Sequence, residues 1–216
     1  MSNLLPTAVI TGKARGSYMN PFEPRPDDNG VLKYSGQALI PKTDTATLKA
    51  ISAAILEAKK IGVKKFGWDL ENLPKKFKSP VRDGDAELAD GTKKEKDKAL
   101  YEGCYFINAT SKFAPGVVDK NGKEILKASE AYSGAFYRFE FNFYPYETKG
   151  NIGIAAGLNA VQKIAEGERL GGGGSDGSNF GAYESTEEEE EIPFITAVAT
   201  ADFEPRALRR LRKHAA

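Results

Sequence analysis

Between residues 135 and 144 the side chains sort by parity into two chemically different rows. Odd positions hold Ala135, Tyr137, Phe139, Phe141 and Phe143; even positions hold Phe136, Arg138, Glu140, Asn142 and Tyr144. A period of two marks a strand, with one row turned to a core and the other turned out. The odd row is almost wholly aromatic and is the core row. The outward row sets two rings, Phe136 and Tyr144, on either side of a cation, Arg138, and an amide, Asn142. Single-stranded nucleic acid needs these groups: bases stack on rings at about 1–3 kcal/mol each, and cations follow the phosphates. The plainer alternative is an amphipathic strand whose outer rings lie under a loop.

The same mixture recurs along the chain. Lys13 and Arg15 precede Tyr18 and Phe22, and Lys33 adjoins Tyr34. Tyr105 and Phe106 precede Lys112 and Phe113. Residues 64–78 interleave Phe66, Trp68 and Phe77 with Lys64, Lys65, Lys75, Lys76 and Lys78, and Arg82 follows. Together these residues predict a basic, aromatic-lined groove. Its candidate contacts are Lys13, Arg15, Tyr18, Phe22, Lys33, Tyr34, Trp68, Lys76, Arg82, Tyr105, Phe106, Lys112, Phe113, Phe136, Arg138, Asn142 and Tyr144. The chemistry is electrostatic capture followed by stacking, without reading of base edges.

Other chemistries lack their residues. The chain has one cysteine, Cys104, and one histidine, His214, three residues from the end. A disulfide framework and a cysteine-based zinc site are excluded, and a catalytic triad or His-ligated metal would have to use a terminal residue. Cys104 reads as a small buried hydrophobe within a strand. GLNAVQK lacks the spacing of a phosphate loop, and the glycines at 171–174 open no predicted helix. Asp83, Asp85, Glu87 and Asp90 do not meet the calcium-loop pattern and have no second acidic cluster for a two-metal site, so they read as a solvated loop. No cofactor and no metal are expected, and no enzymatic activity.

The elements that must position the groove follow from periodicity and turn signals. Residues 8–19 read as a strand, with Lys13, Arg15 and Ser17 on one face and Gly12, Ala14, Gly16 and Tyr18 on the other. Residues 20–29, with Pro21, Pro24 and Pro26, read as a loop. Residues 31–40 read as a strand closed by Pro41. A helix then starts at a cap among Thr43, Asp44 and Thr45, carries the stripe Leu48, Ile51, Ile55 and Ala58, and ends at Gly62 as its C′ glycine. Residues 63–98 read as a surface excursion with short helical pieces at most. Strands follow at 101–110, at 132–146 (ended, or its end placed at an edge, by Pro145) and at 151–159. An Asn-Gly hairpin turn lies at 121–122, and Ala160 to Glu166 read as a short helix. The predicted fold is mainly β with α: an oligonucleotide-binding, five-stranded barrel with a capping helix, a long loop excursion and an acidic C-terminal tail. The domains are a binding body at 1–170 and a flexible Gly-rich, acidic tail with a short basic end at 171–216.

Charge is split along the 216 residues. The formal charge is +1 overall, but 1–170 carry +5, 171–200 carry −7 and 201–216 carry +3. A basic body with an acidic tail suits a polyanion partner, or a tail that masks the groove; solubility is the bland reading of the same tail. Glu187, Glu188, Glu189, Glu190 and Glu191, followed by Phe194, are the candidate regulatory segment. Freed by a bound strand, it would recruit a polymerase or helicase. The start of the chain has no signal-peptide pattern, and no apolar run is long enough to span a membrane.

Six stretches, in order, resemble the single-stranded DNA-binding proteins of tailed bacteriophages and prophages: KARGSYMNPFEP, KYSGQALIPKTD, LENLPKKFKSPVRDGD, YEGCYFINATSKFAPGVVD, YSGAFYRFEFNFYPYETKGNIGIAAGLNAVQKI and LGGG. The resemblance implies an oligonucleotide-binding barrel and sequence-independent binding of single strands in phage replication and recombination. It implies action in the bacterial host cytoplasm, and a homodimer is left open. The chain departs from the pattern after Ile192-Pro193-Phe194, where about twenty further residues end in RALRRLRKHAA, a basic end read as an extension or a short amphipathic helix. Residues alone leave open an RNA-binding or RNA-chaperone barrel, or a non-catalytic replisome or virion scaffold.

Overall fold

The computed structural model describes residues 4–27, 29–86, 98–148 and 150–170. Eight strands are present among them: β1 Ala8–Ile10, β2 Ala14–Pro26, β3 Leu32–Pro41, β4 Val81–Asp83, β5 Cys104–Ser111, β6 Gly116–Val118, β7 Phe136–Thr148 and β8 Asn151–Ala165. Helix α1 spans Thr45–Phe66, and a short helix, α2, spans Lys98–Tyr101. Five strands close on themselves in the order β7-β2-β3-β5-β8, with β8 pairing back to β7. All pairs in the ring are antiparallel except β5–β8. This is the expected barrel of the oligonucleotide-binding type, with β1, β4 and β6 added at its edges.

β7 is the hub. Its odd row is fully withdrawn from solvent: Ala135, Tyr137, Phe139 and Phe141 are 0% exposed and Phe143 is 1% exposed. Phe139 and Phe141 stack at 5.5 Å between ring centres. Ala38, Ile40, Ile107, Ala109, Ile154, Leu158 and Val161 meet them from the other strands. Burial raises the Tyr137 phenol above its ordinary value, and its hydroxyl donates to the Tyr132 carbonyl. Pro145 does not end β7, which stays paired to β8 as far as Thr148. Beyond Phe143, whose amide donates to the Thr7 carbonyl just before β1, no pairing to β1 or β2 is present among the described residues, so the proline sits where one side of the strand is an edge.

Several predicted boundaries are corrected. The strand expected at 8–19 is two strands, because the ladder is interrupted at Thr11 and Gly12, although the Thr11 amide still donates to the Phe139 carbonyl. Thr11 Oγ1 accepts from the Phe139 amide, and the Gly12 amide donates to Thr47 Oγ1 at the start of α1. Residues 20–26 are strand rather than loop: Asn20 pairs with Ser35 and Arg25 with Lys33. The prolines are tolerated because β2 pairs with β7 only at Ala14 and Arg15, leaving its other edge open there. The register shifts between Ser17 and Asn20, where Tyr18 takes φ +47°. That turns Tyr18 outward, opposite to Gly16, whereas alternation alone places them together.

The helix is capped at Asp44, whose carboxylate accepts from the Thr47 amide. It ends not at Gly62 but at Gly67, which takes φ +72°. Gly62 lies within the helix, where a Cβ would stand 2.2 Å from the Trp68 ring. The excursion at 63–98 contributes β4, which pairs with β5. Tyr101 closes α2, so the next strand starts at Cys104, which is only partly buried. The short helix expected at 160–166 is instead the end of β8, held by β7 on one side and by parallel β6 on the other. The Asn-Gly turn is present, with Gly122 at φ +81° and its amide donating to the Asp119 carbonyl.

Because Trp68 occupies the space of a missing Cβ, Gly62→Ala should destabilise the fold by about 1–3 kcal/mol. Urea denaturation followed by Trp68 fluorescence measures it; an unchanged midpoint would mean that the ring can move aside.

Candidate nucleic-acid interface

The outer surface of the barrel carries a low belt of small and polar side chains. Strand registers align Asn20, Ser35, Thr110, Gly157 and Asn142 across β2, β3, β5, β8 and β7 in turn. The Asn20 amide donates to Ser35 Oγ at 3.2 Å. Beside the belt, Gln37 pairs with Asn108 and Leu39 with Phe106 on the same outward side. Here the surface sinks into a groove of about 340 Å³ lined by Tyr18, Ser35, Gln37, Arg82, Tyr101, Phe106, Asn108 and Thr110, among others.

The groove floor is fixed by a hydrogen-bond chain. Tyr101 Oη donates to Gln37 Oε1 at 2.8 Å, and Gln37 Nε2 donates to Asn108 Oδ1 at 2.7 Å. The Tyr101 and Phe106 rings meet edge to face at 5.0 Å, and Leu39 packs beneath them. Arg82 lies over Phe106, 5.9 Å from the ring centre. Its guanidinium has no carboxylate partner among the described residues. Tyr18 rises beside the groove and is 65% exposed. Tyr144 is 42% exposed, and its Cε1 comes within contact of the space over Gly157, so it borders the belt from β7. Burial, with Tyr144 adding to it, raises the Tyr146 phenol next to it.

The base of the segment that brings Arg82 and Tyr101 to the groove is latched to β3. Lys42 bridges Asp83 at 2.5 Å and Asp85 at 2.8 Å, and its ammonium lies 5.0 Å from the centre of the Tyr105 ring. The hydrogen bond from Lys42, then that from the Asp85 amide, hold the Asp83 carboxyl below its ordinary range. The same two carboxylates push the Lys42 ammonium upward.

The expected contacts therefore divide. Tyr18, Arg82, Phe106, Asn142 and Tyr144 border the belt and groove, although Phe106 is only 2% exposed and offers a groove wall rather than an open ring. Lys33, Tyr34, Lys112 and Phe113 cluster where β3 begins and β5 ends, with Tyr34 paired to Ser111. Phe113 is 82% exposed, while Lys33 is paired with Asp27 at 2.7 Å. Lys13, Arg15, Phe136 and Arg138 form a separate strip. Lys13 covers the Phe136 ring at 4.3 Å. Arg15 donates to the Gly134 and Glu168 carbonyls, and Arg138 to the Thr11 carbonyl and Gln162. Phe136 and Tyr144, eight residues apart on β7, stand about 26 Å apart along it.

Four residues take other places. Trp68 is 7% exposed, sandwiched by Phe66 and Phe77, and donates from Nε1 to Glu147. Phe22 packs against the core. Lys76 is exposed in the turn region before β4, and Tyr105 lies under Lys42 rather than in the groove. Sequence reasoning missed Ser35, Gln37, Tyr101, Asn108 and Thr110. The signal was available in part: Ser35 and Gln37 alternate with inward Gly36 and Ala38. The acidic run Glu187 to Glu191, Phe194 and the basic end lie outside the described residues, as do Glu87 and Asp90. No helix of the described residues is long and apolar enough to cross a membrane.

Comparison with known proteins places this geometry in context. The family model described as Enterobacter phage Enc34, ssDNA-binding protein, matches residues 7–192. Protein p50 of Acyrthosiphon pisum secondary endosymbiont phage 1 is 32% identical over 179 residues, which cover 78% of this chain and 90% of that one. Among solved structures, the single-stranded DNA-binding protein from bacteriophage Enc34 in complex with ssDNA aligns with a TM-score of 0.62. It is 23% identical, covering 79% of this chain and 97% of its own. The single-stranded DNA-binding protein gp2.5 of bacteriophage T7 aligns with a TM-score of 0.50 at 16% identity, covering 82% and 98%. Both likenesses show a shared fold.

The latch gives a pH prediction. Because the folded-state pKa of Asp83 is depressed, its stabilisation is present above the unfolded value of about 4 and is lost as pH falls through the lower folded value. Asp83→Asn should therefore shrink the stability difference between neutral and acid pH, read from urea midpoints at the two. An unchanged difference would show that the pair adds nothing to folding.

Proposed function

This chain belongs to the Enc34-type family of phage ssDNA-binding proteins, and on that premise we propose that it coats single-stranded DNA during phage replication and recombination, without regard to sequence. The observation that carries the reading is the groove on the outer face of β2, β3 and β5. It has an outward tyrosine on one side, a cation above that has no carboxylate partner among the described residues, and a belt of small polar residues leading toward Tyr144. Low relief lets a backbone pass, and rings at the sides give bases a face to stack on.

The binding body is residues 1–170. In the proposed mechanism, Arg82 and Lys112 draw in phosphates, and bases stack on Tyr18, Tyr144 and Phe113. Asn20, Asn108, Asn142 and Thr110 offer hydrogen bonds along the path. The strip of Lys13, Arg15, Phe136 and Arg138 extends it for longer strands. None of these groups is arranged for bond making or breaking, so the chain is read as a binding protein and not as an enzyme, acting in the host cytoplasm. Glu187 to Glu191 with Phe194 are read as a docking segment for a polymerase or helicase.

Fluorescence anisotropy with labelled oligo-dT of increasing length, at two salt concentrations, tests the reading. Binding should be saturable and should weaken with salt. Tyr18→Ala or Tyr144→Ala should cost about 1–3 kcal/mol of affinity with the fold intact. Arg82→Ala should lower the salt slope by about one phosphate contact. Phe136→Ala should matter only for strands longer than the short end of the roughly 4–16 nucleotides that one such barrel covers. Wild-type affinity in the Tyr18 and Tyr144 variants would remove the groove from the path, and no binding of oligo-dT at low salt would remove the function.

A further inference from the structure

Helix α1 carries a second surface that strand binding does not use. Toward the barrel it buries Thr47, Ile51, Ala54, Ala58 and Gly62. On another side Glu57, Lys60, Ile61 and Lys64 recur at i, i+3, i+4 and i+7, the spacing of one helical stripe. This stripe walls a groove of about 620 Å³, closed on its other sides by Leu5 before β1 and Leu70 after the helix. The aliphatic groups in it are open to solvent: Leu5 is 65% exposed, Ile61 44% and Leu70 38%. Exposed large aliphatic side chains gathered in one open hollow make a candidate binding surface.

The rim is basic. The helix holds Lys49, Lys59, Lys60, Lys64 and Lys65 against a single acid, Glu57. Lys60 pairs with Glu57 at 2.6 Å, and Lys64 has no carboxylate partner among the described residues. Aromatic rings do not line the hollow, so bases have nothing to stack on. Its recessed shape suits single side chains rather than a flat bilayer. We propose that this groove receives a short acidic peptide of a partner protein, whose aliphatic or aromatic side chains enter the hollow while its carboxylates meet Lys60 and Lys64. The stripe from residue 57 to 64 runs about 10 Å, enough for two turns of a bound helix or about three extended residues. Apolar burial supplies the affinity, and the lysines select against basic partners.

The test uses the full chain and a fluorescein-labelled twelve-residue peptide of Asp and Glu with Leu, Phe and Ile at every third or fourth position. Anisotropy should show saturable binding that saturating oligo-dT leaves unchanged, which separates this groove from the DNA path. Ile61→Glu should weaken the peptide about tenfold or more, and Lys64→Glu several-fold, with oligo-dT affinity kept in both. Both positions are on the surface, and circular dichroism checks that the fold survives. Absence of saturable binding, or binding indifferent to both substitutions, overturns the proposal. It is equally overturned if Ile61→Glu instead converts a dimer to a monomer in sedimentation, which makes a second copy the occupant. Loss of binding to phosphatidylserine vesicles in the same variant, with no peptide binding in the wild type, would assign the hollow to a lipid surface.

Discussion

The packing of the inward row of β7 is the interaction on which the barrel depends. Tyr137, Phe139, Phe141 and Phe143 fill the interior from one strand, and β7 is also the strand that pairs with β1, β2 and β8. A ring of five strands closes only if every strand bonds on both edges and inward side chains fill the middle, and β7 supplies most of that filling. Burying each of these rings is worth on the order of 2–3 kcal/mol, so their combined contribution is large against the net stability of a domain. The outer surface inherits its order from this: once β7 is fixed, the registers that align Asn142 with Gly157, Thr110, Ser35 and Asn20 follow.

That dependence explains what the sequence made legible. The β7 parity, the α1 stripe, the Asp44 cap and the Asn-Gly turn are local patterns, and each appears where it was expected. Errors occurred where a tertiary partner overrode the local signal. Residues 160–165 have helical composition, but β7 and β6 offer hydrogen bonds on both sides, and the segment extends β8 instead. Gly62 has the look of a helix stop, yet the helix needs it as the place where Trp68 can sit. Tyr18 breaks alternation because a register shift gives it a positive φ, which no period-two count can show.

The candidate interface was less legible than the fold for the same reason. Rings and cations were found in the sequence as local mixtures, but whether a ring is open is decided by what packs on it. Trp68 met every compositional criterion and is enclosed by Phe66 and Phe77, with its indole N–H bonded to Glu147. Phe106 is covered by Tyr101 from a different element. The polar floor was invisible because Gln37, Asn108 and Tyr101 come together only through the pairing of β3 with β5 and the return of α2 across it.

Availability of donors then ranks the cations that composition treats as equal. A guanidinium has five N–H donors, so one that serves two protein acceptors keeps three for a phosphate but is held in place by those bonds, and swinging away from a buried acceptor costs about 1–3 kcal/mol. Arg15 and Arg138 are in that position, each giving two of its N–H groups to backbone carbonyls or to Gln162. Arg15 also fastens the segment after β8 to the turn before β7, so its first duty is structural. Lys33 is held by Asp27, and Lys42 by two aspartates. Among the described residues Arg82 has no carboxylate partner and lies over the Phe106 ring, and a ring face can be kept while phosphate is bound from above. A net charge of +5 therefore counts cations that are not equally placed to meet a phosphate: Arg82, beside Tyr18, has no carboxylate partner among the described residues, whereas Lys33 and Lys42 are already neutralised.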